Sequence, residues 1–264
     1  MSSVYSAYVS VLKQQFLNSL AKLMSFRLSF ILTVLFDIAA FLTFYYTTDI
    51  IFMHVTSIGG WTREHFLFFI FWMQSVNCLH SAIAAPNFWN FATEVRNGNL
   101  DFRLLRPLGS LFDVFTATTR PIALLMLPVV MGFVIYYGIA LHVAFWGWIA
   151  MPFLWLLSFV LLMLLEILIS MGLLWTKGGD GINFVRIHVQ QFEKWPDFVY
   201  PNPMRLFFTR VLPCLAAGTF PVKAVLGLGE WWEIPFLVLM TFVVWHVIGK
   251  LWMLGLKHYE SASS

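Results

Sequence analysis

Residues 148–172 read WIAMPFLWLLSFVLLMLLEILISMG, twenty-five residues with one ionisable side chain, Glu166. A helix needs about 20 mostly apolar residues to cross a hydrocarbon core of about 30 Å, and this stretch exceeds that length. Four more segments of the same character flank it, at 28–52, 66–85, 121–140 and 234–256. The stretches between are polar or rich in Gly and Pro: Gly59-Gly60, Pro86-Asn87 and Lys177-Gly178-Gly179-Asp180-Gly181. Over all 264 residues, 60% are apolar and only 11% charged, with a mean hydropathy of +0.79. Soluble domains carry about 25% charged residues, so this chain cannot solvate most of its surface. The fold class that follows is an all-α integral membrane protein. Soluble enzymes, nucleic-acid modules and disordered proteins are excluded as whole-chain readings.

Net charge is only +3, so the position of each charge matters more than the total. Lys13, Lys22 and Arg27 precede the first span; Arg96, Arg103, Arg106 and Arg120 lie in the 86–120 loop; Lys250 and Lys257 close the last span. The alternate connections hold Arg63, no charge at 141–147, and the acids Glu230 and Glu233. Basic residues in short loops mark the cytoplasmic side, which places both termini and the 86–120 loop there. Tyr45, Tyr46, Trp61, Trp146, Trp148, Trp231 and Trp232 are expected at the opposite interface, as an aromatic belt.

Two cytoplasmic termini require an even number of crossings, so a sixth lies between 176 and 229. Two segments compete. Residues 182–200 are amphipathic, with Arg186, Gln190, Gln191 and Glu193; residues 203–226 are more apolar but contain Pro213 and Pro221. Hydropathy favours the second.

The first 27 residues are too long and polar for a signal peptide, and the apolar run that follows is too long for its core. Tyr5, Val9, Leu12, Phe16, Leu20 and Leu23 fall within an arc of about 80° on a helix. Lys13 and Lys22 accompany them, as in a helix lying in the cytoplasmic interface among membrane lipids; a soluble helix packed on a partner is the alternative. Cys78 and Cys214 stand alone in apolar surroundings and read as small buried hydrophobes.

The loop at 94–108 reads EVRNGNLDFRLLRPL. Gly98 can end one short helix in a left-handed conformation, Asp101 can cap the next, and Pro107 stops it. The product is a short element with Leu100, Phe102, Leu104 and Leu105 as its apolar residues. It is suited either to a groove in a soluble partner or to a plain turn with solvated arginines.

This loop resembles the (I/V)-x-x-G-x-L-D-x-x-L-L-R-P-L pattern of bacterial ABC permeases of the type-2 superfamily, in the branch whose permeases occur in pairs. VYPNPMRLFFTRVLPCLAAGTFPVKAVLG at 199–227 and GLKHYESASS at 255–264 resemble later stretches of the same branch. The resemblance covers essentially the whole chain, 1–264, as a single permease domain. It implies six spans, an interfacial N-terminal helix over 1–27, and a cytoplasmic coupling helix at about 96–108 within the 86–120 coupling loop. It also implies a re-entrant hairpin before the last span. Residues 182–200 would then be the fifth span, although they are more polar than such a span is expected to be. Residues 203–226 would form the hairpin, with Pro201, Pro213 and Pro221. Glu94, Arg96, Gly98, Leu100, Asp101, Leu105, Arg106 and Pro107 would form the contact with the ATPase. Arg205, Arg210 and Lys223 would sit on the outer side, against the charge rule.

The chain has no G-x-x-x-x-G-K-(S/T) phosphate loop, H-E-x-x-H, G-x-S-x-G or C-x-x-C. No catalytic or metal-ligating set is expected, and no cofactor in this chain. The resemblance puts ATP and Mg in two separate cytoplasmic nucleotide-binding subunits, beside a second permease subunit, homologous or identical. Asp37 and Glu166 lie within spans, where a charge costs about 2.5–3.5 kcal/mol. Either they line a substrate pathway, or they make interhelical bonds, as Glu166 with His80. Arg186 and Glu193, seven apart, share a helical face and either pair across a dimer seam or sit at polar surfaces.

The expected function is the permease of an ATP-driven exporter in the bacterial inner membrane, moving lipidic, amphiphilic or drug-like cargo, with no enzymatic activity of its own. A non-transporting scaffold or sensor and a secondary transporter are the rivals. The latter predicts internal repeats, and none is evident.

Overall fold

The computed structural model describes residues 27–106, 109–176 and 180–259, together with Gln14 and residues 17–19. Among the described residues every regular element is helical. Helix α1 (Arg27–Phe52) and α2 (Arg63–Ile83) form the first hairpin. The turn between them holds Gly59 and Gly60 at φ 57° and 82°, and a Cβ on Gly59 would run into the Phe198 ring. Helix α3 (Ala85–Arg96) follows α2 almost directly, with Pro86 in its first turn, where no amide hydrogen is needed. Then come α4 (Asp101–Leu104), α5 (Ser110–Thr116) and a 3₁₀ turn (Pro121–Leu125) leading into α6 (Leu127–Ala140). Helix α7 (Phe145–Ser170) runs on as a 3₁₀ turn to Leu174. Helices α8 (Asp180–Phe192), α9 (Asn202–Leu206), α10 (Cys214–Val225) and α11 (Glu233–His258) complete the chain.

Among the described residues, five helical segments are long and apolar enough to cross a membrane: Ile31–Phe52, Arg63–Ile83, Pro121–Ala140, Phe145–Leu174 and Glu233–His258. They are the five apolar segments of the sequence. The chain is an all-α, multi-pass membrane protein. Its core is α2, whose Phe66, Phe68, Phe69, Phe71 and Trp72 are all essentially inaccessible. Helix α6 packs along α2, and α10 and α11 pack on α7. Helix α1 is peripheral, exposing Leu32, Leu35, Phe36 and Leu42, a surface that lipid covers at no cost. Cys78 and Cys214 are buried and unbridged.

Residues 182–200 do not make one long helix. Helix α8 has 13 residues, about 20 Å at 1.5 Å per residue, and ends before Trp195-Pro196. The segment after it is a hairpin of two short legs. The first is α9 with a widened turn at Phe207–Val211; the second is α10; they join at Leu212-Pro213. Pro201 precedes the first leg and Pro213 the second, whereas Pro221 sits inside α10 without breaking it. Both legs return to one residue, Asp197. Arg205 Nε lies 2.7 Å from one carboxylate oxygen and Lys223 Nζ 3.9 Å from the other. The Asp197 amide donates to the Thr219 hydroxyl at 3.0 Å. Lys223 also lies 3.4 Å from Glu233. The cations Arg205 and Lys223 are therefore paired locally.

Phe198 packs on Trp61 and Phe66 at the start of α2, so the hairpin opens at that end. Trp61 is only 4% exposed and belongs to the core, not to an aromatic belt; Trp146 and Trp231, at 76% and 88%, are free to face an interface. The opposite end gathers the described residues of the 86–120 stretch, the C-terminal part of α11 and Ser19. There Trp252 donates to Ser110 at 3.0 Å, and the Thr119 hydroxyl donates to that of Ser19 at 3.1 Å. Of the expected interfacial helix, Gln14 and 17–19 are helical; the rest of it, and 260–264, lie outside the described residues.

Candidate functional site

At the end remote from the hairpin, the 86–120 stretch forms a compact foot. Gly98, at φ 69°, turns the chain out of α3. The Asn99 amide donates to the Glu94 carbonyl at 2.8 Å and the Gly98 amide to Val95 at 3.3 Å, which satisfies the carbonyls at the end of α3. The expected short helix is a single turn, Asp101–Leu104. Asp101 is its first residue and not its cap: Leu100 precedes the helix in helical conformation, with no side-chain bond to the turn.

Arg103 holds this turn in place. Its Nη2 donates to Glu94 Oε1 at 2.8 Å and its Nη1 to Asp113 Oδ2 at 3.3 Å. Arg106 Nη1 donates to both Asp113 oxygens, at 3.1 and 3.2 Å. Burial works against the Arg103 charge, but the Glu94 and Asp113 carboxylates outweigh it and hold the guanidinium above its ordinary pKa. The Asp113 side chain is 1% exposed, and a buried carboxylate persists only when paired.

The frame sorts the apolar residues of the loop. Leu100 is fully buried and Leu104 packs against the core, while Phe102 and Leu105 stand 70% and 82% exposed. The foot is thus a rigid platform presenting two apolar side chains beside Arg106. Phe88 and Phe91 of α3 pack on Phe115 of α5, and Phe91 on Trp252 of α11. The foot is thus packed on α3, and through Phe91 and Trp252 on α11. Arg96 ends α3. Pro107 lies outside the described residues.

Within the bundle, Glu166 of α7 is surrounded. Arg186 Nη1 donates to Oε2 at 2.8 Å, Gln190 Nε2 donates to Oε1 at 2.6 Å, and His80 Nε2 lies 3.0 Å from Oε1. The Arg186 guanidinium also covers the Phe88 ring at 4.6 Å. The Glu166–His80 contact is the interhelical alternative foreseen from the sequence; Arg186 and Gln190 were not foreseen as partners. No spacing in the chain announces them, because the pairing depends on how α8 rotates against α7. Arg186 and Glu193 diverge in use: the first closes on Glu166, the second lines a cavity. That cavity, about 140 Å³, lies between α1, α2, α7 and the end of α8, and Glu166 borders it. Asp37 borders a smaller one of about 30 Å³, together with Gln74 and Asn77, which also line the larger. The site residues of the sequence thus fall into three separate places: the foot, the two intramembrane cavities and the hairpin.

Among the described residues no group of three or more His, Cys, Asp or Glu is placed to hold a metal ion. In comparison with known proteins, residues 38–263 match the family model described as ABC-2 family transporter protein. No curated protein and no solved structure matches the chain.

Proposed function

The chain belongs to the ABC-2 family of transporter proteins, and we propose that it is the permease of an ATP-driven exporter whose foot receives force from a separate ATPase. Members of this family are membrane components, not ATP-binding domains, and work with ABC ATPase subunits. In our reading two such subunits carry ATP and Mg, and a second permease, homologous or identical, completes the assembly. It sits in a bacterial inner membrane with both termini and the foot in the cytoplasm. Residues 182–200 then provide the fifth crossing and the hairpin dips in from outside. Irregular backbone at membrane depth requires cover by protein or water, and α2, α7 and α8 provide it. The cargo is lipidic, amphiphilic or drug-like, and the cavities bordered by Asp37 and Glu166 form its path.

The observation that carries this reading is the exposure of Phe102 and Leu105 on a turn locked by Arg103, Glu94, Asp113 and Arg106. Two apolar side chains held rigidly beside a cation fit a groove on a soluble partner better than they fit water. ATP-driven closure of the ATPases pushes on this platform, and α2 and α11 carry the displacement to the cavity walls. The test is co-purification of an ATPase subunit, together with transport by the variant Leu105→Asp with Arg106→Glu. Loss of the partner and of transport supports the reading. A chain that purifies without any nucleotide-binding partner and transports unchanged in this variant overturns it.

A further inference from the structure

The larger cavity is lined by polar side chains that make no hydrogen bond or ion pair among the described residues. Gln74 and Asn77 of α2, Gln191 of α8, and Glu193 and Lys194 just beyond it all face it. Among the described residues none of these five makes a hydrogen bond or an ion pair. Glu193 and Lys194, adjacent and opposite in charge, are not paired with each other; the Lys194 ammonium lies 5.4 Å over the Phe44 ring. Glu166 differs, its carboxylate already being held by Arg186, Gln190 and His80. The remaining walls, including Ile70, Met73, Phe159 and Leu162, are apolar. The cavity is bordered by α1 on one side and the end of α8 on the other. Helix α1 packs on α2, and α8 packs on α7, α3 and α10.

An ionised side chain at membrane depth normally finds a counter-charge or water, and carboxamides there seek bonds that lipid tails cannot give. Here one carboxyl group, one amine and three carboxamides face the same apolar-walled space, all with bonding capacity left. We propose that this cavity binds a zwitterionic headgroup carrying an ammonium and a phosphate. The ammonium lies against Glu193 and the phosphate against Lys194. Gln74, Asn77 and Gln191 bond the ester and phosphate oxygens, and an attached acyl chain leaves between α1 and α8. The proposal rests on the transport reading above and names its cargo class. A purely anionic headgroup would leave Glu193 repelling it, and a purely cationic one would leave Lys194 repelling it. The zwitterion satisfies both.

The full-length chain is reconstituted in nanodiscs of phosphatidylglycerol, which lacks an ammonium. It is then titrated with short-chain phosphatidylcholine, short-chain phosphatidylglycerol and free glycerophosphocholine, and binding is read by native mass spectrometry. Saturable binding of the zwitterionic lipid is expected, weakened about tenfold by Glu193→Gln and again by Lys194→Gln, a factor that corresponds to about 1.4 kcal/mol each. For the anionic probe the two substitutions should act in opposite directions: Glu193→Gln removes a repulsion and strengthens binding, whereas Lys194→Gln removes the phosphate's partner and weakens it. Equal affinity for glycerophosphocholine and the lipid supports the charge pairing and assigns the site to a soluble zwitterion; preference for the lipid assigns it to a headgroup. Equal binding of zwitterionic and anionic lipids, or indifference to both substitutions, overturns the proposal. So does a cysteine at Asn77 that cross-links quantitatively to a second copy, since the cavity would then be a subunit seam. The variant Leu105→Asp with Arg106→Glu should bind the headgroup normally while losing transport, so failure of the foot and failure of the cavity are read separately.

Discussion

Glu166 keeps its carboxylate at membrane depth because Arg186, Gln190 and His80 surround it, and the arrangement predicts how it fails. Glu166→Leu alone leaves the Arg186 guanidinium buried without its counter-charge, a loss of about 3–5 kcal/mol. Glu166→Leu combined with Arg186→Met removes both charges and recovers most of that loss; unfolding in detergent micelles, read as a double-mutant cycle, measures it. Gly98 is a second residue on which much depends. Its φ of 69° costs a residue with a Cβ about 1–2 kcal/mol. Gly98→Ala should lower stability by that amount and loosen the foot, seen as faster amide exchange over 99–106. The Gly98 turn was legible in the sequence, since glycine before a short apolar run has few other uses. Arg186 as the partner of Glu166 was not, because its counter-charge lies on another helix and only packing reveals it. The same reason hid Asp113, which joins Arg103 to Arg106 from a helix that neither charge nor periodicity singled out.

At the scale of elements, the five long helices follow from composition alone, and their bounds shift by only a few residues from the apolar runs. Hydropathy and the family resemblance read the region between α7 and α11 differently. Hydropathy scores 203–226 as the better span because it counts apolar residues and cannot see that the chain turns back at Leu212-Pro213. It scores 182–200 poorly because it counts Arg186 and Gln190 as polar and cannot see that both bond Glu166 on α7. The resemblance favours a hairpin there, where the pattern of residues left two choices. The foot gives the clearest prediction for a single element. Phe102 and Leu105 touch little of the protein, so Phe102→Ser or Leu105→Asp should change stability by no more than about 0.5 kcal/mol. Either should nonetheless lower substrate-stimulated ATP hydrolysis in the assembled complex. Unchanged hydrolysis with unchanged stability would show that the exposed pair seats in nothing.

For the whole molecule, the two ends of the bundle differ in kind. One carries the foot, and the other carries the hairpin fastened at Asp197. Cys78 and Cys214 are buried, so single introduced cysteines should report cleanly. A cysteine at Asn202 should react with an impermeant maleimide in intact cells, and one at Phe102 only after the cells are opened. The reverse pattern would invert the assigned orientation, and labelling of both from one side would remove the hairpin. Asp197→Asn leaves Arg205 with no carboxylate and Lys223 with Glu233 alone. It should therefore make the 202–225 segment protease-sensitive while the five long helices stay intact. Helix α8 is about 20 Å long, shorter than a hydrocarbon core of about 30 Å. If it and the hairpin sit in the membrane as proposed, the bundle would take up more area in one leaflet than in the other. It would then displace unequal numbers of lipids from the two sheets, and a membrane crowded with this protein would redistribute lipid between them or bend.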